Sequence, residues 1–244
     1  MRILLTIKYD GTDLVGFQIQ DNGLTVQELI EGALFKLTGE SIRIHGAGRT
    51  DSGVHAIGQT AHFDTDSRIP PEKYAYALNT LLPKSVRIAK SEMVDENFHA
   101  RFSARGKHYR YLILNSPHDD PFLCRTALHV YKPLDLDRMN GAARLIVGTH
   151  DFSAFKAAGV ELKTHVRTIY RSEFSLMGNS VLAYDIVGSG FMYNMVRILV
   201  GTFIEIGLNI RDIDCINSAF LSRNRHELGA TAPARGLMLM EVIY

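Results

Sequence analysis

Apolar residues fall at every second position as the chain opens: Ile3, Leu5, Ile7 and Tyr9, followed by Asp10-Gly11. That alternation reads as a strand over residues 2–9 closed by a turn. The period then lengthens. Val26, Leu29, Ile30, Ala33, Leu34 and Leu37 recur at helical spacing, with Thr25 and Glu28 as a capping box and Gly39 as the stop. Ser41–His45 reads as a short strand, and residues 57–64 as a second one beyond a glycine-rich connector. Pro71 suits the first turn of a helix running to about Leu82, where Pro83 stops it, and Val86 to Val94 reads as a strand. The order β-α-β-β-α-β is that of a ferredoxin-like unit.

The second half repeats the order. Residues 107–114 form a strand, and 135–147 a helix with Leu136, Met139, Ala143 and Ile146 inward. Residues 166–176 and 180–187 make a strand pair around the turn signal Gly178-Asn179. A helix then carries Phe191, Met192, Met195, Val196, Leu199, Val200 and Phe203 on a wide apolar face. A shorter helix near 212–221 and a strand over Leu237–Ile243 follow. The pattern predicts an α+β protein of two pseudo-symmetric ferredoxin-like halves, 1–104 and 105–244, whose antiparallel sheets meet at a central cleft. The long connectors 115–134 and 149–165 are of a length usually reserved for function or mobility.

Composition narrows the class without choosing a partner. Over 244 residues, 46% hydrophobic and 22% charged is the profile of a soluble globular chain. No stretch approaches the about 20 apolar residues of a membrane span, and the N-terminus lacks a signal-like apolar run, so a cytoplasmic protein is expected. Cys124 and Cys215 make neither a disulfide framework nor a metal pattern, and His45, His55 and His62 match no common zinc spacing. No metal and no cofactor are expected. Lys plus Arg total 27 against 26 Asp plus Glu, so any nucleic-acid site must come from locally clustered charge.

Three segments carry candidate chemistry. Gly46-Ala47-Gly48-Arg49-Thr50-Asp51-Ser52-Gly53-Val54-His55 presents a carboxylate and a guanidinium from a turn whose glycines permit close approach to a ligand. The same residues would also serve a tight hairpin with a surface ion pair, since Asp and Gly are ordinary turn residues. Phe98 to Tyr111 interleaves Arg101, Arg105, Lys107 and Arg110 with two His and four aromatic rings and holds no acid. Charge for phosphates and rings for unpaired bases is what RNA asks for, although a solvated strand edge carries Lys and Arg too. In the third segment, Gly188 to Gly201, Arg197 lies beside an apolar helix face and requires a carboxylate or a phosphate; Asp51 is a candidate.

In this order the segments resemble the TruA family of tRNA pseudouridine synthases over nearly the whole chain. The likeness begins at Tyr9-Asp10-Gly11-Thr12, Gly16-Phe17-Gln18-Ile19-Gln20 and Thr25-Val26-Gln27-Glu28. It is most specific at Gly48-Arg49-Thr50-Asp51-Ser52-Gly53-Val54-His55. It continues through Phe98-His99-Ala100-Arg101-Phe102-Ser103-Ala104, Tyr109-Arg110-Tyr111, His150-Asp151-Phe152, Met195-Val196-Arg197 and Ala234-Arg235-Gly236-Leu237. Phe17 stands where many members have Trp, and Tyr193-Asn194 where some have two histidines. The resemblance implies a homodimer without cofactor or metal that isomerises uridines at positions 38, 39 and 40 in the anticodon stem-loop of tRNA. It implies Asp51 as catalytic nucleophile, Tyr109 packed against the target base, Arg197 paired with Asp51, and Arg49 holding the flipped nucleotide. The runner-up is a noncatalytic RNA-binding module with RRM-like sheets, which the absence of RNP aromatic motifs disfavours.

Overall fold

The computed structural model describes residues 1–157 and 163–244, which group into two compact units. The first comprises Met1–Arg105 together with Met238–Tyr244, and the second Gly106–Leu237.

In the first unit, β1 (Arg2–Tyr9) lies between β3 (His55–Asp64) and β4 (Val86–Val94), antiparallel to both. Its register pairs Ile3 with Phe63 and Leu5 with Ala61 on one side, and Ile3 with Met93 on the other. Ile3, Leu5 and Ile7 are fully buried, so a one-residue slip would turn all three away from the core. The other edge of β3 is shared. The short β2 (His45–Gly46) runs antiparallel against His62 and Ala61, while the C-terminal strand (Leu237–Ile243) runs parallel against His55 and Ala56.

Helix α1 (Val26–Thr38) starts where Thr25 Oγ1 accepts the Glu28 N–H and ends at Gly39, whose φ of 75° suits glycine. Helix α2 (Tyr74–Leu81) follows a 3-10 turn that begins at Pro71. Ile30, Leu34, Tyr74 and Leu78 are buried with the inward residues of the strands.

The second unit builds the sheet β7-β8-β9-β5 from β5 (Gly106–Leu114), β7 (Gly148–Asp151), β8 (Val166–Leu176) and β9 (Val181–Gly188). All three pairings are antiparallel, and a two-residue β6 (Leu128–His129) runs parallel to the end of β5. The β8–β9 hairpin turns through Gly178, Asn179 and Ser180, all at positive φ. Helices α3 (Leu136–Leu145) and α4 (Met195–Gly207) pack with Phe174, Tyr184 and Phe203, whose rings lie 4.6–5.8 Å apart. The Tyr184 phenol shares a buried 2.8 Å hydrogen bond with Ser172, as a buried hydroxyl must. A short α5 (Cys215–Ser222) follows. No helix among the described residues is long and apolar enough to cross a membrane.

Helix α4 begins later than its apolar pattern predicts. Asn194 adopts a left-handed conformation (φ 60°), which asparagine tolerates better than most residues and a helix does not continue through. Phe191 and Met192 therefore precede the helix. The strand expected over Ser41–His45 is also reduced to its last residue and Gly46, because Glu31 of α1 takes the Ile44 N–H (3.0 Å) that a ladder would use.

Candidate active site

The loop joining β2 to β3 is sewn to the segment that follows β1. The Thr50 carbonyl accepts the Phe17 N–H (3.2 Å), and the Leu14 carbonyl accepts the Gly53 N–H (3.2 Å) and the Ser52 hydroxyl (3.3 Å). His55, buried, takes the Gly11 N–H on Nδ1 at 3.1 Å and lies 3.2 Å from Asp10. Glycine is required at these contacts. A Cβ on Gly11 would sit 2.0 Å from the Val54 carbonyl oxygen, and one on Gly16, at φ 108°, 2.6 Å from that of Thr50.

From the other side, the Ala47 N–H donates to Thr60 O (2.8 Å) and Gln59 Nε2 to Gly48 O (3.0 Å). Inside, Thr50 and Tyr9 share a 2.8 Å hydroxyl hydrogen bond, and burial raises the Tyr9 phenol well above its ordinary pKa. The loop is thus braced on both sides of Asp51. Asp51 is half-buried at the head of a turn closed by the Val54 N–H on its own carbonyl (3.1 Å), with Gly53 at φ 77°, and Arg49 is exposed on the same loop. Gln27 supports this frame from α1: it accepts the Ile19 N–H (3.2 Å) and donates to Glu31 (2.7 Å).

The other expected residues divide between the units. Arg101 and Arg105 are exposed in the segment after β4. Lys107, Tyr109 and Arg110 lie on β5, where Tyr109 is 7% exposed and edge-on to Phe191 at 5.3 Å. Arg197, in the first turn of α4, donates through Nε to the Ala232 carbonyl (2.7 Å) and through Nη1 to Asn194 Oδ1 (2.8 Å). Two fixed acceptors orient the guanidinium, and one of them is the left-handed Asn194. Among the described residues no cluster of His, Cys, Asp or Glu is arranged to hold a metal ion.

A match to the family model described as tRNA pseudouridine synthase covers residues 5–103 and 142–244. A protein of Ruminiclostridium cellulolyticum named tRNA pseudouridine synthase A is 47% identical over 243 residues, covering 100% of this chain and 99% of that one. One of the same name from Acetivibrio thermocellus is 48% identical and covers 99% of each. The chain belongs to the tRNA pseudouridine synthase family. Among solved structures, an H/ACA RNP bound to a substrate RNA containing 2'-deoxyuridine aligns over 84% of this chain and 44% of that chain. At 12% identity and a TM-score of 0.39 that likeness is remote.

For a tRNA pseudouridine synthase the bound partner is a polyanion, so the arrangement of cations matters. Arg110 is tied to an acid: its Nε and Nη2 each donate at 3.0 Å to Asp185, which also meets His108 Nε2 at 2.6 Å. Arg171 Nη2 lies 3.7 Å from the same carboxylate. Burial pushes the Asp185 pKa up, but the hydrogen bonds from His108 and Arg110 outweigh it and hold the group down at about 2. Asp185 escapes a reading by motif. Its signal is a lone carboxylate in an otherwise apolar strand, Val181 to Gly188, which pairs with a strand carrying His108 and Arg110.

Proposed function

We propose that this chain isomerises uridines of the anticodon stem-loop of tRNA, at positions 38, 39 and 40, with Asp51 as the catalytic carboxylate. Family membership makes it an isomerase that converts uridine to pseudouridine in tRNA. The observation that carries the assignment to Asp51 is the bracing of its loop: a half-buried carboxylate held on both sides by backbone hydrogen bonds is pre-organised for chemistry.

The reaction breaks the N1–C1′ bond, turns the uracil and forms a C5–C1′ bond; C5 loses its proton to solvent and N1 gains one. No electrons are exchanged with an external reagent. A carboxylate suits chemistry at a glycosidic carbon, where it attacks or stabilises developing positive charge. The target nucleotide must first leave its stack, at a cost of a few kcal/mol.

In this reading Tyr109 packs against the extruded base, Arg197 pairs with Asp51, and Arg49 holds the flipped nucleotide. Arg101, Arg105, Lys107 and Arg110 meet RNA phosphates, with Arg110 supported by Asp185. Two ferredoxin-like halves, 1–104 and 105–244, serve one central catalytic cleft, and the enzyme works as a cytoplasmic homodimer. The pairing of β1 with β3 and β4, and of β3 with β2, supports the first half of that description. The ready orientation of Arg197 and the edge-on restraint of Tyr109 support their roles.

Release of tritium from tRNA labelled at uridine C5 tests the reading. Release from transcripts with uridine at positions 38–40, and none from transcripts lacking it, is the expected result. Binding without release would return the chain to the class of noncatalytic RNA-binding modules.

A further inference from the structure

Residues 98–103 form a turn after β4 that is tied down at most of its peptides. The His99 N–H donates to Ser103 Oγ (3.0 Å), and its carbonyl accepts the Ser103 N–H (2.9 Å). The Ala100 N–H donates to His62 Nδ1 (3.2 Å), and its carbonyl accepts the Tyr244 phenol (2.9 Å). The Phe98 carbonyl accepts Arg2 Nη1 (2.8 Å), and the Arg101 N–H donates to His99 Nδ1 (3.1 Å).

A cluster of rings lies along this frame. His45 and His62 stack at 5.1 Å, His62 meets His99 edge-on at 4.6 Å, and His99 lies 4.3 Å from Phe102. His62, buried in the cluster, has its proton affinity pushed down to about 4, by desolvation first and then by neighbouring charge. Phe102, in the same cluster, is 77% exposed. Folding does not need that ring for its core, and the turn that carries it is tied down on either side, at Arg101 and Ser103.

The stretch of chain that carries the ring is basic. The Arg101 guanidinium lies 5.8 Å from the Phe102 centroid, and residues 97–114 contain no carboxylate side chain. His99 has a lowered pKa, from burial first and then from neighbouring charge. Phe122 makes the contrast. It is more exposed, at 93%, but follows Asp119 and Asp120 and has its N–H capped by the Asp120 carboxylate (2.8 Å), a setting that repels phosphate.

We propose that Phe102 is a base-stacking platform, on which an unpaired base of the bound RNA lies while Arg101 meets the adjoining phosphate. The proposal rests on the tRNA reading above and adds a binding subsite to it. An aromatic ring takes any unpaired base because every base has a π-face, whereas bases inside a duplex are already covered.

The test measures affinities of wild type, Phe102→Ala and Phe102→Trp by fluorescence anisotropy, for a tRNA transcript and for a fully paired RNA duplex. The ring is exposed, so both variants should fold, and thermal unfolding checks this. The Ala variant should lose about 5- to 150-fold in tRNA affinity, the range of base–aromatic stacking. Phe102→Trp should stay within about twofold of wild type, and neither change should alter duplex binding. An Ala variant that binds tRNA like wild type, or loses as much on the duplex, would overturn the platform. A change of mass in solution for the Ala variant would assign the ring to contact with a second copy instead. Binding is read without turnover, so failure of tritium release would sink the catalytic reading and leave this measurement to stand or fall separately.

Discussion

The phenol of Tyr9 and the hydroxyl of Thr50 share a buried hydrogen bond of 2.8 Å, one residue before Asp51. It joins the end of β1 to the loop that carries the carboxylate. Tyr9→Phe leaves the ring in place and strands the Thr50 hydroxyl in the interior, which costs about 1–3 kcal/mol. Urea unfolding should show that loss, and single-turnover isomerisation should slow while tRNA affinity is kept. A variant as stable and as fast as wild type would mean that the bond does not set the loop.

Asp51→Asn keeps the shape of the side chain and removes its charge. Isomerisation should vanish, with stability and tRNA affinity nearly unchanged, because the loop is held by backbone groups of its neighbours rather than by this carboxylate alone. Turnover within about tenfold of wild type would exclude Asp51 as the catalytic group.

Arg105 is exposed just before β5, and Lys107, two residues on, is half-buried at its start. Each phosphate that they neutralise releases condensed counterions, so affinity should fall steeply with salt. Reversing both to Glu should weaken binding to all tRNAs alike and flatten the salt slope, with little effect on reaction of substrate already bound. An unchanged slope places the phosphate track elsewhere. The long connector 149–165, of which residues 158–162 lie outside those described, is the next segment to test.

Asp185 makes stability depend on acid. Its pKa is depressed from 3.8 to about 2 in the folded chain, so its contribution is whole above pH 4 and is lost as pH falls toward 2. The loss is on the order of 2 kcal/mol. Asp185→Asn should be less stable at neutral pH, since it leaves His108 and Arg110 without their anion, and should lack this part of the acid dependence. Urea midpoints measured from pH 6 to pH 2.5 decide it; parallel curves for the two proteins would refute the role.

Periodicity makes β1, β4, β5, β8 and the C-terminal strand legible to within a residue, because each alternates or buries an unbroken apolar run between clear turn signals. It fails where one side chain overrides the pattern. Asn194 delays α4, and Glu31 takes the Ile44 N–H from the strand expected there. The candidate loop is legible from its glycines, and its support is not. Tyr9 with Thr50, Gln59 with Gly48, and Gly11 against Val54 join residues about 10 to 40 positions apart, and no local pattern announces such partners. Asp185 is hidden for the same reason, 75 positions from Arg110.

The C-terminal strand lies against β3, and the Tyr244 phenol meets Thr60 at 2.6 Å across 184 positions of sequence. Synthesis proceeds from the other end, so a nascent chain has made β1, α1, β3 and β4 long before it makes the strand that covers the His55–Ala56 stretch of β3. Through that interval an unpaired strand edge is open to any other emerging chain, which is the ordinary route to misassembly. The first unit is therefore begun before the second and closed only after it, by the strand that ends at Ile243.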